Sequence, residues 1–193
     1  FLKKGPQVKD APYLLFLSRI HNKKGLDMLI SAYEQTLKEN TAGTMPKLVI
    51  AGPGAKSMYG KRLLKRVMAS GVLNGYVFFP GMLTGEAKWG ALYGCQSFIL
   101  PSHQENFGIA IVEALACKKP VLISNQVNIY IEIEAANAGI IASDTAAGTL
   151  QLLKQWLNMP ESEKAAMGEN AYNVFSRKFD IKSFATTFLK AIS

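Results

Sequence analysis

Two hydrophobic rhythms alternate along the chain. Short, unbroken apolar runs occupy residues 13–17, 47–51, 76–79, 98–100, 121–123 and 139–142. Because they are continuous rather than alternating, they read as strands covered on both faces. Longer amphipathic segments lie between them, at 25–40, 57–70, 85–93, 108–117 and 129–136, and these read as helices. Strand and helix succeed one another through short joints bearing Gly or Pro, which predicts an α/β fold, a Rossmann-like doubly wound parallel sheet. Three more helices, at 146–158, 160–175 and 181–192, are expected to close the chain. No repeat, low-complexity tract or linker interrupts the pattern, so residues 1–193 read as a single domain.

Ligands in such a sheet bind beyond the carboxyl ends of the strands. Those ends carry Ser18-Arg19, Gly52-Pro53-Gly54, Pro80-Gly81-Met82 and the stretch from Pro101 to Gly108. The chemistry of the molecule is expected there.

Composition removes several classes. Of 193 residues, 49% are hydrophobic and 19% charged, and 16 Gly and 8 Pro follow no short period, which excludes disorder, collagen and coiled coil. No apolar run approaches the roughly 18 residues of a membrane helix, and no signal-peptide pattern is present. Cys95 and Cys117 make neither a disulfide framework nor a zinc site, and read as small buried apolar residues of a chain in a reducing, cytoplasmic compartment. A start at Phe1 is what a piece of a longer protein would show.

The net charge of +8 is unevenly placed. Residues 1–66 hold 13 basic and 4 acidic side chains, whereas 67–193 hold 9 and 10. An anionic partner is therefore expected at the first third, and nucleic acid, an anionic membrane and a phosphorylated small molecule all satisfy that expectation. The loop from Ser18 to Gly25 contains Arg19, Lys23 and Lys24 ahead of a helix, so it reads either as a diphosphate clamp or as a solvated basic loop. Gly52-Pro53-Gly54-Ala55-Lys56-Ser57 fails as a P-loop, because Ile50 and Ala55 stand where glycines are required; its glycines instead allow a ligand or another backbone to come close. The helix that follows sets Lys61, Arg62, Lys65 and Arg66 opposite an apolar face, which fits a solvated surface or peripheral contact with the inner face of a membrane.

The most informative stretch runs from Pro101 to Ala114. Gly108 opens a helix whose first N–H groups and positive dipole end suit an anion. Glu113 lies about one and a half turns into that helix, at roughly 1.5 Å per residue, so it can reach the same pocket as Glu105. The rest of the helix is apolar, and a carboxylate on it needs partners: ligand hydroxyls, a structural Arg or backbone N–H groups all qualify.

Glu105 and Glu113, in the frame Glu-Asn-Phe-Gly-x-x-x-x-Glu-Ala, resemble the E-x7-E signature of retaining GT-B glycosyltransferases of family 4 (group 1). Ser18-Arg19-Ile20 with Lys24-Gly25 is similar to that family's Arg and Lys pair, and Phe79-Pro80-Gly81 and 98–102 fall at the expected places between them. The resemblance covers about residues 12–190, the length of the C-terminal, nucleotide-sugar-binding half, and implies that an N-terminal acceptor-binding domain is absent. It implies catalytic roles for Arg19 and Lys24 on the donor diphosphate and for Glu105 on the transferred sugar. Glu113 would hold the ribose, the loop with Met82 and Leu83 the base, and Gly52, Asn106, Phe107, Gly108 and Ile109 would complete the donor site. The donor implied is UDP-glucose or a related UDP-hexose, used without a metal or other cofactor, and the acceptor a glycan or lipid-linked sugar of polysaccharide biosynthesis.

The pattern departs from the family at Gln96-Ser97 and at Val127 to Glu132, where the usual Gly-Gly-x-x-Glu is missing, so the role of Glu132 stays open between ligand and helix structure. His21 and His103 can each touch a ligand, but no spacing of His, Cys and carboxylates forms a metal set. A GT-B sugar-nucleotide epimerase half and a non-catalytic flavodoxin-like binding module remain as alternatives. Nucleic acid is disfavoured because exposed aromatics do not interleave with the basic residues.

Overall fold

A computed structural model of the chain describes residues 3, 8–9, 11–40 and 45–180. Six parallel strands, β1 (Tyr13–Leu17), β2 (Lys47–Ala51), β3 (Val77–Gly81), β4 (Ser97–Leu100), β5 (Val121–Ser124) and β6 (Gly139–Ala142), form one sheet in the order β3-β2-β1-β4-β5-β6. Between and after them run α1 (Leu26–Glu39), α2 (Met58–Ala69), α3 (Gly85–Gly94), α4 (Ile109–Ala116), α5 (Tyr130–Ala135), α6 (Ala146–Asn158) and α7 (Glu161–Val174). This is the expected doubly wound α/β architecture.

β1 lies at the centre, paired with β2 on one side and β4 on the other, and all five of its residues are buried. The sequence Tyr-Leu-Leu-Phe-Leu is what such a position demands, since both faces are covered by helices. α1 turns Leu26, Leu29, Ile30 and Tyr33 inward, one apolar stripe at helical spacing, and packs beside α6. Arg66 of α2 reaches Ser31 and Glu34 of α1 at 2.9 and 3.0 Å, which keeps α2 on the same face. Right-handed crossovers send α3, α4 and α5 to the opposite face, where α4 and α5 meet α7.

The structure moves some boundaries. The third strand begins at Val77 rather than Tyr76 and continues through Pro80 to Gly81. Pro80 is tolerated because β3 is an edge strand, and the register slips by one residue there: Val49 faces Phe78 but Ala51 faces Gly81. The expected helix at 160–175 is α7, preceded by Pro160, and its last residues pass into a π-helical turn at Phe175–Phe179. The helix expected at 181–192 lies outside the described residues. No helix among the described residues is long and apolar enough to cross a membrane.

Both cysteines are buried, as expected. Burial pushes the Cys95 thiol up to about 12 and raises that of Cys117 as well. Since only thiolates alkylate readily, iodoacetamide at pH 8 should label neither cysteine in the folded chain and both in urea. Rapid labelling of Cys95 in the native protein would contradict the packing described.

Candidate functional site

Strand order reverses between β1 and β4, and in sheets of this kind the loops leaving the carboxyl ends at such a reversal are where ligands bind. The β1 loop is tied down on its other side, by Ser18 N–H to the Ala51 carbonyl (3.1 Å) and Ile20 N–H to the Pro53 carbonyl (2.8 Å). A 3-10 turn, Asn22–Lys24, and a left-handed Gly25 (φ 67°) then deliver the chain into α1. Gly25 is required sterically as well: a Cβ there would stand 1.9 Å from the Pro101 carbonyl oxygen.

The β4 loop crosses back over this turn. His103 N–H donates to the Lys23 carbonyl at 2.9 Å, and the buried Ser102 hydroxyl lies 3.0 Å from the carbonyl oxygens of both Lys23 and Gln104. The Ser124 hydroxyl at the end of β5 donates to the Ser102 carbonyl. Glu105 is held on both sides, its N–H donating to the Gln126 carbonyl (3.1 Å) and its carbonyl accepting from Asn128 N–H (3.0 Å). Three strand ends thus form one hydrogen-bonded platform.

On that platform the Lys24 ammonium pairs with the Glu105 carboxylate, both side chains largely shielded from solvent. Two residues that the sequence placed in separate motifs are in contact. No side chain caps α4, and Gly108 enters it in a left-handed conformation (φ 69°); Ile111 N–H turns back to the Gly108 carbonyl at 2.7 Å, which leaves the N–H groups of Ile109 and Ala110 to face an anion. Asn106, Phe107 and Ile109 are exposed around this helix start, and the Phe107 ring meets Phe179 edge to face at 5.9 Å.

The other expected residues are distributed differently. Glu113 pairs with Lys88 of α3 at 2.5 Å, so it has a charged partner of its own and the two glutamates answer to different lysines. A lysine thus fills the place for which an Arg, backbone N–H groups or ligand hydroxyls all qualify on sequence. Arg19 is exposed, makes no ion pair among the described residues, and lines a cleft that Lys24, Glu105 and Glu113 do not line. In the β3 loop Met82 is exposed while the Leu83 side chain is buried, which leaves only the main chain of Leu83 for recognition. Gly52 is explained by backbone: its N–H donates to the Gly81 carbonyl (2.9 Å), and a Cβ would strike the Ser18 carbonyl oxygen at 1.9 Å.

Sequence reasoning missed Lys88, the lone cation of α3, and Asp144, which follows β6 and whose Oδ1 accepts from His103 Nδ1–H at 2.7 Å. A search that included the ends of β5 and β6 would have found Asp144. Glu132 has one buried carboxylate oxygen with no hydrogen-bond partner among the described residues. No group of three or more His, Cys, Asp or Glu among those residues is arranged to hold a metal ion.

Comparison with known proteins bears on the fold and the family. A D-inositol 3-phosphate glycosyltransferase of Gordonia bronchialis is 26% identical over 161 residues, covering 81% of this chain and 34% of that enzyme. An alpha-D-kanosaminyltransferase of Streptomyces kanamyceticus is 26% identical over 182 residues, 90% of this chain and 43% of the relative. Among solved structures, sucrose-phosphate synthase from Thermosynechococcus elongatus superposes with a TM-score of 0.78 at 20% identity, over 100% of this chain and 48% of that one. The Anabaena protein HepE, solved with UDP and glucose, gives 0.80 at 20% identity over 99% and 50%. The fold is therefore that found in GT-B enzymes, and the chain spans about a third of that first relative's length and about half of either structure. Residues 1–174 match the family described as glycosyl transferases group 1, and the chain belongs to that family.

Proposed function

We propose that this chain is the donor-binding half of a retaining glycosyltransferase that moves a hexose from a UDP-sugar to a glycan or lipid-linked acceptor in polysaccharide biosynthesis. The observation that carries the reading is the Lys24–Glu105 pair beside the uncapped start of α4, at the reversal point of the sheet. A diphosphate seated on the α4 N–H groups takes Lys24 as counter-ion, with Arg19 turning in from its exposed position. Their charge stabilises the departing nucleotide, the work a divalent metal does in other transferases. Glu105, released from Lys24 by the phosphates, accepts hydrogen bonds from sugar hydroxyls. Glu113 does the same for the ribose, with Lys88 fixing the carboxylate in place. Main-chain groups of Met82 and Leu83 meet the base, and Gly52, Asn106, Phe107 and Ile109 shape the surround. The Anabaena relative, solved with UDP and glucose, supports a UDP-linked hexose.

Transfer further requires an acceptor in near-attack geometry and exclusion of water, both of which fall to an N-terminal domain closing over the site. Residues 1–193 alone are expected to bind donor and transfer sugar negligibly, in a cytoplasmic protein that contacts a membrane peripherally. Calorimetric titration with UDP, GDP, ADP and UDP-glucose, each with and without magnesium, tests the reading. UDP should bind best, UDP-glucose more tightly than UDP, and chelation of magnesium should leave both unchanged. Failure of every nucleotide to bind sinks the proposal, and an absolute requirement for magnesium removes its metal-free form.

A further inference from the structure

On the α1 and α2 face, away from α3 and α4, the β1 loop, the turn at 52–54 and the start of α2 enclose a cleft of about 580 Å³. Arg19, His21, Asn22, Tyr59 and Arg62 line it, and no Asp or Glu does. Its polar chemistry is almost all donor. The Lys23 N–H donates to both His21 Nδ1 (3.2 Å) and Asn22 Oδ1 (2.9 Å), so these side chains keep the ring Nε2–H and the amide NH2 for a ligand. The Tyr59 hydroxyl donates to Asp27 Oδ1 at 3.1 Å, which occupies the one carboxylate attached to the cleft wall. Burial and that carboxylate push the phenol up to about 12, so it stays a neutral donor. Arg19 and Arg62 are exposed and form no ion pair among the described residues. The Arg62 guanidinium rests 5.4 Å from the Tyr59 ring centroid, which orients its fork.

We propose that this cleft is a second anion site, which binds a phosphate ester separately from the donor diphosphate. The Arg62 guanidinium fork, the His21 imidazole N–H and the Asn22 carboxamide converge from two segments of chain, more donors than the two oxygens of a carboxylate can use and a match to the several oxygens of a phosphate, and the site does not depend on Arg19, which the donor diphosphate draws away. All of these residues belong to the basic first third of the sequence, to which the cleft contributes Arg19 and Arg62. The proposal goes beyond donor binding, and Arg62 has no part in the donor site assigned above. A soluble sugar or polyol phosphate and a phospholipid headgroup present the same group.

The test uses glycerol 3-phosphate as ligand for the chain saturated with UDP, read by calorimetry and by the His21 ring resonances in NMR, and then repeats the titration with Arg62→Gln. Binding should persist under UDP, shift His21, and weaken about tenfold or more in Arg62→Gln, as expected for loss of a charged hydrogen-bond donor, while UDP affinity stays the same. Phosphatidylcholine vesicles with and without phosphatidic acid form the second arm. Arg62-dependent binding of the acidic vesicles that glycerol 3-phosphate cannot displace assigns a lipid headgroup, and displacement assigns the soluble ester. One-for-one displacement of glycerol 3-phosphate by UDP, or phosphate and vesicle binding that ignores Arg62→Gln, overturns the proposal. If UDP itself does not bind, the donor reading falls alone, and the phosphate titration is read on the unliganded chain.

Discussion

Replacing Gly25 by alanine should lower the melting temperature by on the order of 10 °C. Two costs combine at this position. A non-glycine residue at φ 67° carries left-handed backbone strain of about 1–3 kcal/mol. The added methyl would also sit 1.9 Å from the Pro101 carbonyl oxygen, and backbone cannot step aside as a side-chain tip can, so overpacking adds about 1–3 kcal/mol. For a chain of this size each kcal/mol is worth roughly 2–4 °C. Gly75 provides the control, since its φ is 86° but nothing lies within 4 Å of its missing Cβ. Gly75→Ala should show the strain alone and melt well above Gly25→Ala. Equal melting of the two variants would mean that the β1 and β4 loops do not approach as described.

Lys24→Met should weaken UDP about tenfold to a hundredfold, the loss of a charge-assisted bond worth roughly 1.5–3 kcal/mol. It should also destabilise the fold modestly, because Glu105 loses its ion-pair partner in a largely shielded place. The informative partner is Glu105→Gln. In the unliganded chain Glu105 and the diphosphate compete for one ammonium group, so removing the carboxylate charge frees Lys24. UDP should then bind as well as before or better, while the extra affinity contributed by the hexose of UDP-glucose shrinks. If Glu105→Gln weakens UDP as much as Lys24→Met does, Glu105 serves the nucleotide and not the sugar.

How much of this could be read from the chain depends on the range of the interaction. Strands such as β1 and helices such as α1 announce themselves because burial repeats with a local period, and the parallel sheet follows from their alternation. The third strand runs past its expected carboxyl end because Pro80 and Gly81 look like a turn, and only an edge position with a bulge lets them pair. The expected functional positions Lys24 and Glu105 were visible through motif, yet their contact spans 81 positions in sequence and no spacing rule encodes it. Lys88 went unnoticed for the same reason, being an ordinary helix lysine until α3 and α4 are laid side by side. Gly52 was correctly marked as a point of close approach, and packing then decided that Ser18 backbone is what approaches.

The central place of β1 has a consequence for how the chain is made. As the protein leaves the ribosome, β1 can pair with β2 early, but its other edge has no partner until Ser97 and the residues after it have been synthesised. During that interval Leu14 and Leu15, fully buried in the finished sheet, sit on an open hydrophobic edge, the kind of template on which nascent chains stick to one another. This domain is therefore expected to be most exposed to misassembly in the interval between synthesis of β1 and synthesis of β4.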